Sequence, residues 1–175
     1  MNITLAEATT HDLFQIFELQ QETWLDTYPN NAEGLTVEDI QSKFIGLSEE
    51  AKEKRRKRYQ QRLADPDIHF MLAKHEQEVV GYCEASKKEG EHRIYGIYVS
   101  PEYHRQEIGG RLISDAFSWL GYKEPIFLNV ASYNKKAINF YKKHGFTQTG
   151  KIVQDPASAL PSGAVIPEIE MKKNT

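Results

Sequence analysis

The chain reads as an α/β protein, a mixed central sheet with helices on both faces. Three observations lead there. From residue 67 onward, short apolar runs alternate with amphipathic helical segments. A strand pattern at 92–100, a helix pattern at 108–122 and a second strand pattern at 125–131 follow one another as a crossover, which joins parallel strands in a right-handed sense. The length, 175 residues, suits one domain, because separate cores arise only beyond roughly 250 residues.

Ile3 to Ala8 forms the first expected strand. Thr9 or Thr10 then caps a helix to about Asp26, with Leu13, Phe14, Ile16, Phe17, Trp24 and Leu25 largely at helical spacing. Pro29, Asn30, Asn31 and Gly34 interrupt it. Thr36 opens a shorter helix, with Val37, Ile40, Phe44 and Ile45 on one side. Ser48, followed by Glu49 and Glu50, opens a third, since a Ser cap and acids in the first turn satisfy and complement the free N–H groups. It should end near Asp65-Pro66. Two strands, 68–74 and 78–86, join through a tight turn at Glu76-Gln77, and a third runs from His92 to Ser100, where Pro101 stops it. The helix from Ile108 buries Leu112, Ile113, Ala116, Phe117 and Leu120. Another spans Asn134 to His144 and ends on Gly145, a natural left-handed cap. Two strands close the chain, Thr147 to Val153 and Val165 to Met171, separated by a loop with Pro156, Pro161 and Gly163. Pro167 marks the last strand as short or at an edge.

Composition narrows the function. There are 22 basic and 25 acidic side chains, a net charge of −3, which argues against a dedicated nucleic-acid binder. The run Lys52–Arg58 is interleaved with Glu53 and reads as a solvated helix face. No apolar run approaches the roughly 18 residues of a membrane span, so no membrane partner is expected. The first residues show neither the basic nor the apolar region of a secretory signal. One cysteine, Cys83, gives no internal disulfide and fits a reducing, cytoplasmic setting, where it reads as a small buried residue.

Two stretches carry chemistry. Ligands of open sheets sit at the carboxyl ends of parallel strands, here the turns 101–110 and 131–134. In the first, Ile97-Tyr-Val-Ser-Pro-Glu-Tyr-His-Arg-Gln-Glu-Ile-Gly-Gly-Arg-Leu-Ile113 takes a strand through a basic, glycine-bearing turn into a helix. Free N–H groups at such a helix start can hold a phosphate, and Gly109 and Gly110 admit a ligand close to the backbone. Alone, the same pattern is also met by an ordinary close-packed helix entry. In the second, Asn134 caps a helix whose Ala137, Phe140, Tyr141 and His144 share one face, a pattern that alone describes a core helix.

Together, a "Tyr-Val-x-Pro-x-Tyr…Ile-Gly-x-x-Leu" block followed about 25 residues later by "Asn-x-x-Ala-x-x-Phe-Tyr-x-x-x-Gly-Phe" resembles the GNAT superfamily of N-acetyltransferases. The blocks cover 97–146, and the order of elements from residue 3 to 171 is similar too. The resemblance implies the acyl-CoA N-acyltransferase fold, with a wedge splayed between strands 92–100 and 125–131. It also implies one domain over 1–175: a helical acceptor-side region at about 10–65, an acetyl-CoA-binding core at about 67–146, and C-terminal strands at 147–171. Acetyl-CoA is the implied co-substrate and an amine the acceptor, with no metal. By the same resemblance, Ile97, Tyr98 and Val99 pair with the pantetheine arm, His104, Arg105, Gln106, Glu107, Ile108, Gly109 and Gly110 wrap the pyrophosphate, Asn134 contacts the cofactor, and Tyr141 lies near its sulfur as general acid. Trp24 and Tyr28 become candidate acceptor contacts, although aromatic packing under a loop accounts for them equally; Tyr95 is a further candidate.

Two positions depart from the family pattern. That turn usually reads Gln or Arg, two residues, Gly, one residue, then Gly or Ala; here His104 leads and Glu107 replaces the first glycine. Many relatives also carry a Glu where this chain has Tyr95, leaving Glu84, Glu91 or a water near Tyr95 as the base. The expected activity is transfer of acetyl to a small amine: a polyamine, an amino sugar or an amino acid. A protein N-terminus or lysine is the competing acceptor, and a non-catalytic acyl-CoA-binding regulatory domain the rival from another class. Oligomeric state is open, with a homodimer among the options.

Overall fold

A computed structural model describes residues 2–88, 91–154 and 159–174; Pro156 of the predicted loop lies outside them. The strands are β1 (Ile3–Glu7), β2 (Ile68–His75), β3 (Glu78–Ser86), β4 (His92–Val99), β5 (Ile126–Ala131), β6 (Thr147–Val153) and β7 (Glu168–Lys173). They form one sheet in the order β1-β2-β3-β4-β5-β7-β6. β4 and β5 run parallel, and the other neighbours are antiparallel. The helices are α1 (Leu13–Thr27), α2 (Val37–Ser42), α3 (Glu49–Leu63), α4 (Ile108–Leu120) and α5 (Lys135–Lys143). No helix among the described residues is long and apolar enough to cross a membrane.

Side chains alternate across the sheet. Met71, Ala73 and Cys83 join the core beneath α4, with Leu112, Ile113, Leu128, Phe146 and Met171. Their neighbours Phe70, Leu72 and Tyr82 face the opposite side and meet Leu13, Ile16 and Leu19 of α1. Helices therefore cover both faces, as the sequence predicts. A smaller cluster gathers Leu35, Ile40 and Leu160 under Trp24 and Tyr28.

Local signals place most ends. Thr9 precedes a single 3-10 turn before α1, and the Asp12 carboxylate accepts from the Thr9 N–H at 2.9 Å and its hydroxyl at 2.7 Å. Ser48 Oγ accepts from Ala51 N–H at 3.2 Å, capping α3. α5 stops before Gly145, whose φ of 90° is left-handed.

Three expectations are corrected. α2 ends at Ser42, so Phe44 and Ile45 lie beyond it; Ile40 is its buried residue, while Val37 and Ile45 are exposed. The last strand starts at Glu168 rather than Val165, and it lies between β5 and β6 rather than at an edge. Pro167 sits just before the strand, where its missing N–H costs no ladder bond and its carbonyl accepts from Ser132 N–H. On α5 Ile138 joins Tyr141 in the core beside the expected face, whose Ala137 and Phe140 pack half-buried against the same cluster.

Candidate active site

β4 pairs with β5 at only three positions, His92↔Ile126, Arg93↔Phe127 and Ile94↔Leu128. A bulge follows. Ile94 faces Ala85 of β3 and Gly96 faces Glu84, so Tyr95 is the extra residue. Beyond it β4 stays with β3 and leaves β5. The Ser100 N–H donates to Val80, so by alternation Ser100 and Tyr98 turn their peptide groups to β3. Those of Ile97 and Val99 face the open side. The Val99 carbonyl accepts from His104 Nε2 at 3.0 Å, leaving its N–H directed into the wedge.

A cleft of about 1630 Å³ fills this opening between β4, α4 and α5. Ile97, Tyr98, Val99, His104, Arg105, Glu107, Ile108, Gly109, Gly110, Asn134 and Tyr141 all line it. Gln106 does not; its side-chain amide turns to the Glu102 carbonyl. The turn is unusual in its backbone. Arg105 and Glu107 are left-handed, with φ of 64° and 60°, and Glu107 immediately precedes α4. Non-glycine residues rarely adopt this region. The position where the family carries glycine is thus one where glycine would be unstrained. A Cβ at Gly110 would meet nothing within 4 Å, so the backbone there is open to a ligand. Arg111, Lys136, Lys143 and His144 add basic or titratable groups to the wall.

α5 aims Tyr141 into the cleft. Asn134 caps the helix by accepting from Ala137 N–H at 3.0 Å, which leaves its amide NH2 for other partners. Tyr141 is buried, with its ring edge-on to Phe146. Burial, followed by the proximity of Cys83 and Tyr98, pushes its hydroxyl well above the ordinary tyrosine range; the Ile97 main chain pulls the other way. The hydroxyl therefore holds its proton at neutral pH. Burial raises the Cys83 thiol likewise.

A second cavity, about 720 Å³, opens on the other side of β4, and Tyr98 borders both. Trp24, Tyr95 and Glu84 line it. Glu84 is buried and bonded to Arg62. Burial lifts its carboxyl pKa above the ordinary value, against the pull of Arg62 and Arg58. Glu91, just before β4, pairs with Arg93 at 2.6 Å and borders neither cavity. Tyr28 borders neither as well: its ring packs edge-on to Trp24, and its carbonyl accepts from the Tyr133 hydroxyl at 2.8 Å. Burial raises the Tyr98 hydroxyl to about 12, with Tyr28 and Trp24 close enough to moderate the shift. The Trp24 indole N–H nevertheless makes no hydrogen bond among the described residues.

Sequence reasoning missed Arg55, Arg58 and Arg62, which α3 turns onto the second cavity. Ala51, Tyr59 and Leu63 give the signal: they are the few residues of this charged helix able to face inward, and the three arginines flank them.

The splayed strands, the turn with its backbone open at Gly110 and the basic wall together suit a long anionic thioester. The chain matches the model of the acetyltransferase (GNAT) family over residues 13–146 and belongs to that family. It is 26% identical over 148 residues to the spermidine N(1)-acetyltransferase of Thermoplasma acidophilum, covering 83% of this chain and 89% of that protein. In fold it resembles the PaiA N-acetyltransferase of Thermoplasma acidophilum in complex with coenzyme A, with a TM-score of 0.78, 22% identity and full coverage (100%) of both chains. It also resembles the ribosomal-protein-S18-alanine N-acetyltransferase of Escherichia coli, with a TM-score of 0.67, 17% identity, and coverage of 98% of this chain and 93% of that one.

Proposed function

We propose that the protein moves the acetyl group of acetyl-CoA to the amine of a small molecule by direct attack, without a covalent enzyme intermediate. The observation that supports this best is the free stretch Ile97–Val99, which separates a cleft fit for a thioester cofactor from a second cavity fit for an acceptor. Acetyl-CoA supplies the activated acyl group. The Ile97 and Val99 peptide groups hold its arm, the amides of 105–110 its pyrophosphate, and Asn134 adds a side-chain donor. Val99 N–H stabilises negative charge on the carbonyl oxygen. Tyr141 donates to the departing sulfur.

Glu84 is the base in this reading, because it alone of Glu84 and Glu91 reaches the acceptor cavity. Trp24 and Tyr95 contact the acceptor, and Tyr28 supports Trp24 from behind. The likeness to a spermidine acetyltransferase supports a small amine as the acceptor class. The cytoplasm is the proposed compartment, since the single cysteine is buried and unpaired.

Mass spectrometry of amine panels incubated with isotope-labelled acetyl-CoA tests the proposal, with thiol release followed in parallel. Transfer to a primary amine is expected. Binding of acetyl-CoA without transfer to any polyamine, amino sugar, amino acid or peptide would favour a regulatory domain instead.

A further inference from the structure

The second cavity has a sign. Five basic side chains border it, Lys43, Lys54, Arg55, Arg58 and Arg62, against one carboxylate, Glu84, among the described residues. Glu84 is already held by Arg62.

The outer face of α3 is arranged differently. There Lys52 pairs with Glu49, and Arg56 and Lys57 pair with Glu53. On the inward side Arg62 is held by Glu84, whereas Arg55 and Arg58 meet no carboxylate among the described residues. Arg55 bonds to the Gln20 amide oxygen at 2.5 Å and lies over the rings of Phe17 at 4.2 Å and Phe44 at 5.1 Å. These neutral groups fix its guanidinium without cancelling its charge. Arg58 and Lys54 make no ion pair among the described residues. Burial, then the fields of Arg58 and Arg55, weaken the hold of Lys43 on its proton, with Glu168 opposing. Trp24 adds a buried indole N–H on the same wall, near Tyr98 and with no hydrogen-bond partner among the described residues. An orphaned donor beside crowded cations calls for an acceptor atom with negative charge.

We infer that the amine acetylated here carries an oxyanion, a carboxylate or a phosphate, which Arg55, Arg58 and the Trp24 N–H bind, and that polyamines are poor acceptors. The inference rests on the acetyl-transfer reading of the site. It separates this chain from the spermidine acetyltransferase that it resembles, because a polyamine would bring further positive charge into a positive cavity. The same field favours the neutral form of the attacking amine, which eases the task of a site with Tyr95 in place of the family's usual Glu.

Four amines decide it: spermidine, ethanolamine, β-alanine and O-phosphoethanolamine, the last two distinguishing carboxylate from phosphate. At neutral pH, kcat/KM for one of the anionic pair should exceed that for ethanolamine and spermidine at least tenfold. Arg58→Glu, at an exposed site, should erase that preference through KM while leaving acetyl-CoA affinity within threefold. Calorimetry of the same amines with coenzyme A bound should give the same order. If acetyl-CoA binds and no amine is acetylated, the transfer reading fails, and this binding order still decides the charge of the acceptor. Spermidine or ethanolamine equal to or better than both anionic amines, or an unchanged preference in Arg58→Glu, would overturn the inference.

Discussion

Gly96 lies under the ring of Tyr98: a Cβ at residue 96 would stand 2.5 Å from Tyr98 Cε2. No real side chain tolerates that approach, so the glycine is what lets the ring lie along the strand. There it packs against Tyr82 with centroids 5.0 Å apart and borders both cavities. The glycine also follows the bulge at Tyr95, so the residue that ends the β4–β5 pairing and the residue that shapes the dividing wall are neighbours.

Gly96→Ala should displace the Tyr98 ring. Overpacking of this kind costs about 1–3 kcal/mol, readable by denaturant unfolding, and KM for the amine should rise several-fold. Unchanged stability and KM would mean that the ring has an alternative seat at no cost.

Glu107→Gly should relieve a left-handed residue, adding about 1 kcal/mol of stability. For a chain of this size that corresponds to roughly 2–4 °C in Tm. Because Glu107 borders the cleft, loss of its carboxylate should also tighten acetyl-CoA binding by calorimetry. A higher Tm with unchanged affinity would show that the carboxylate points away from the phosphates.

Glu84 should leave its mark on the pH profile. Its carboxyl pKa is raised, by burial first, above the ordinary 4.5, and a base must be ionised to act. The acid limb of kcat/KM should therefore contain an inflection above 4.5, and Glu84→Gln should remove that inflection while lowering kcat about 100-fold. A variant that loses stability but keeps both rate and profile would assign Glu84 a structural role with Arg62.

Asp12 ties α1 to β2 through Lys74 Nζ at 2.6 Å. Burial works against the ionised form, but the hydrogen bonds from Lys74 and Thr9 prevail and lower its pKa below the ordinary 3.8. A lowered folded-state pKa gives stability that is fully present above 3.8 and is lost as the pH falls through the lower folded value. Asp12→Asn should thus cost about 1–3 kcal/mol at neutral pH. The gap between variant and parent should close in thermal melts as the pH falls below 3.8. A gap independent of pH would mean that the loss is one of packing.

Much of the fold is legible in the sequence because its strands and helices carry local marks: Pro101 after β4, Ser48 before α3, Gly145 after α5. The place of β7 is not. Pro167 reports only that a ladder N–H is missing at that point, whereas the insertion of the strand between β5 and β6 is a matter of long-range pairing. In the candidate site, the residues on turns and helix starts drew attention only as a pair of blocks in a family-like order, since each block alone fits ordinary packing. The arginines of α3 were not, because a helix with 15 residues and few apolar ones shows no dominant stripe; its inward face is set by Tyr59 and Leu63 packing under α1. For Tyr28 the sequence left acceptor contact and packing open, and the structure shows it packed against Trp24.

The central claim is that Tyr141 donates a proton to the leaving sulfur in a direct acetyl transfer. Steady-state thiol release by Tyr141→Phe, with acetyl-CoA affinity measured on the same preparation, tests it most directly. kcat should fall about 100-fold or more with the affinity within threefold. A kcat within threefold of the parent would contradict it.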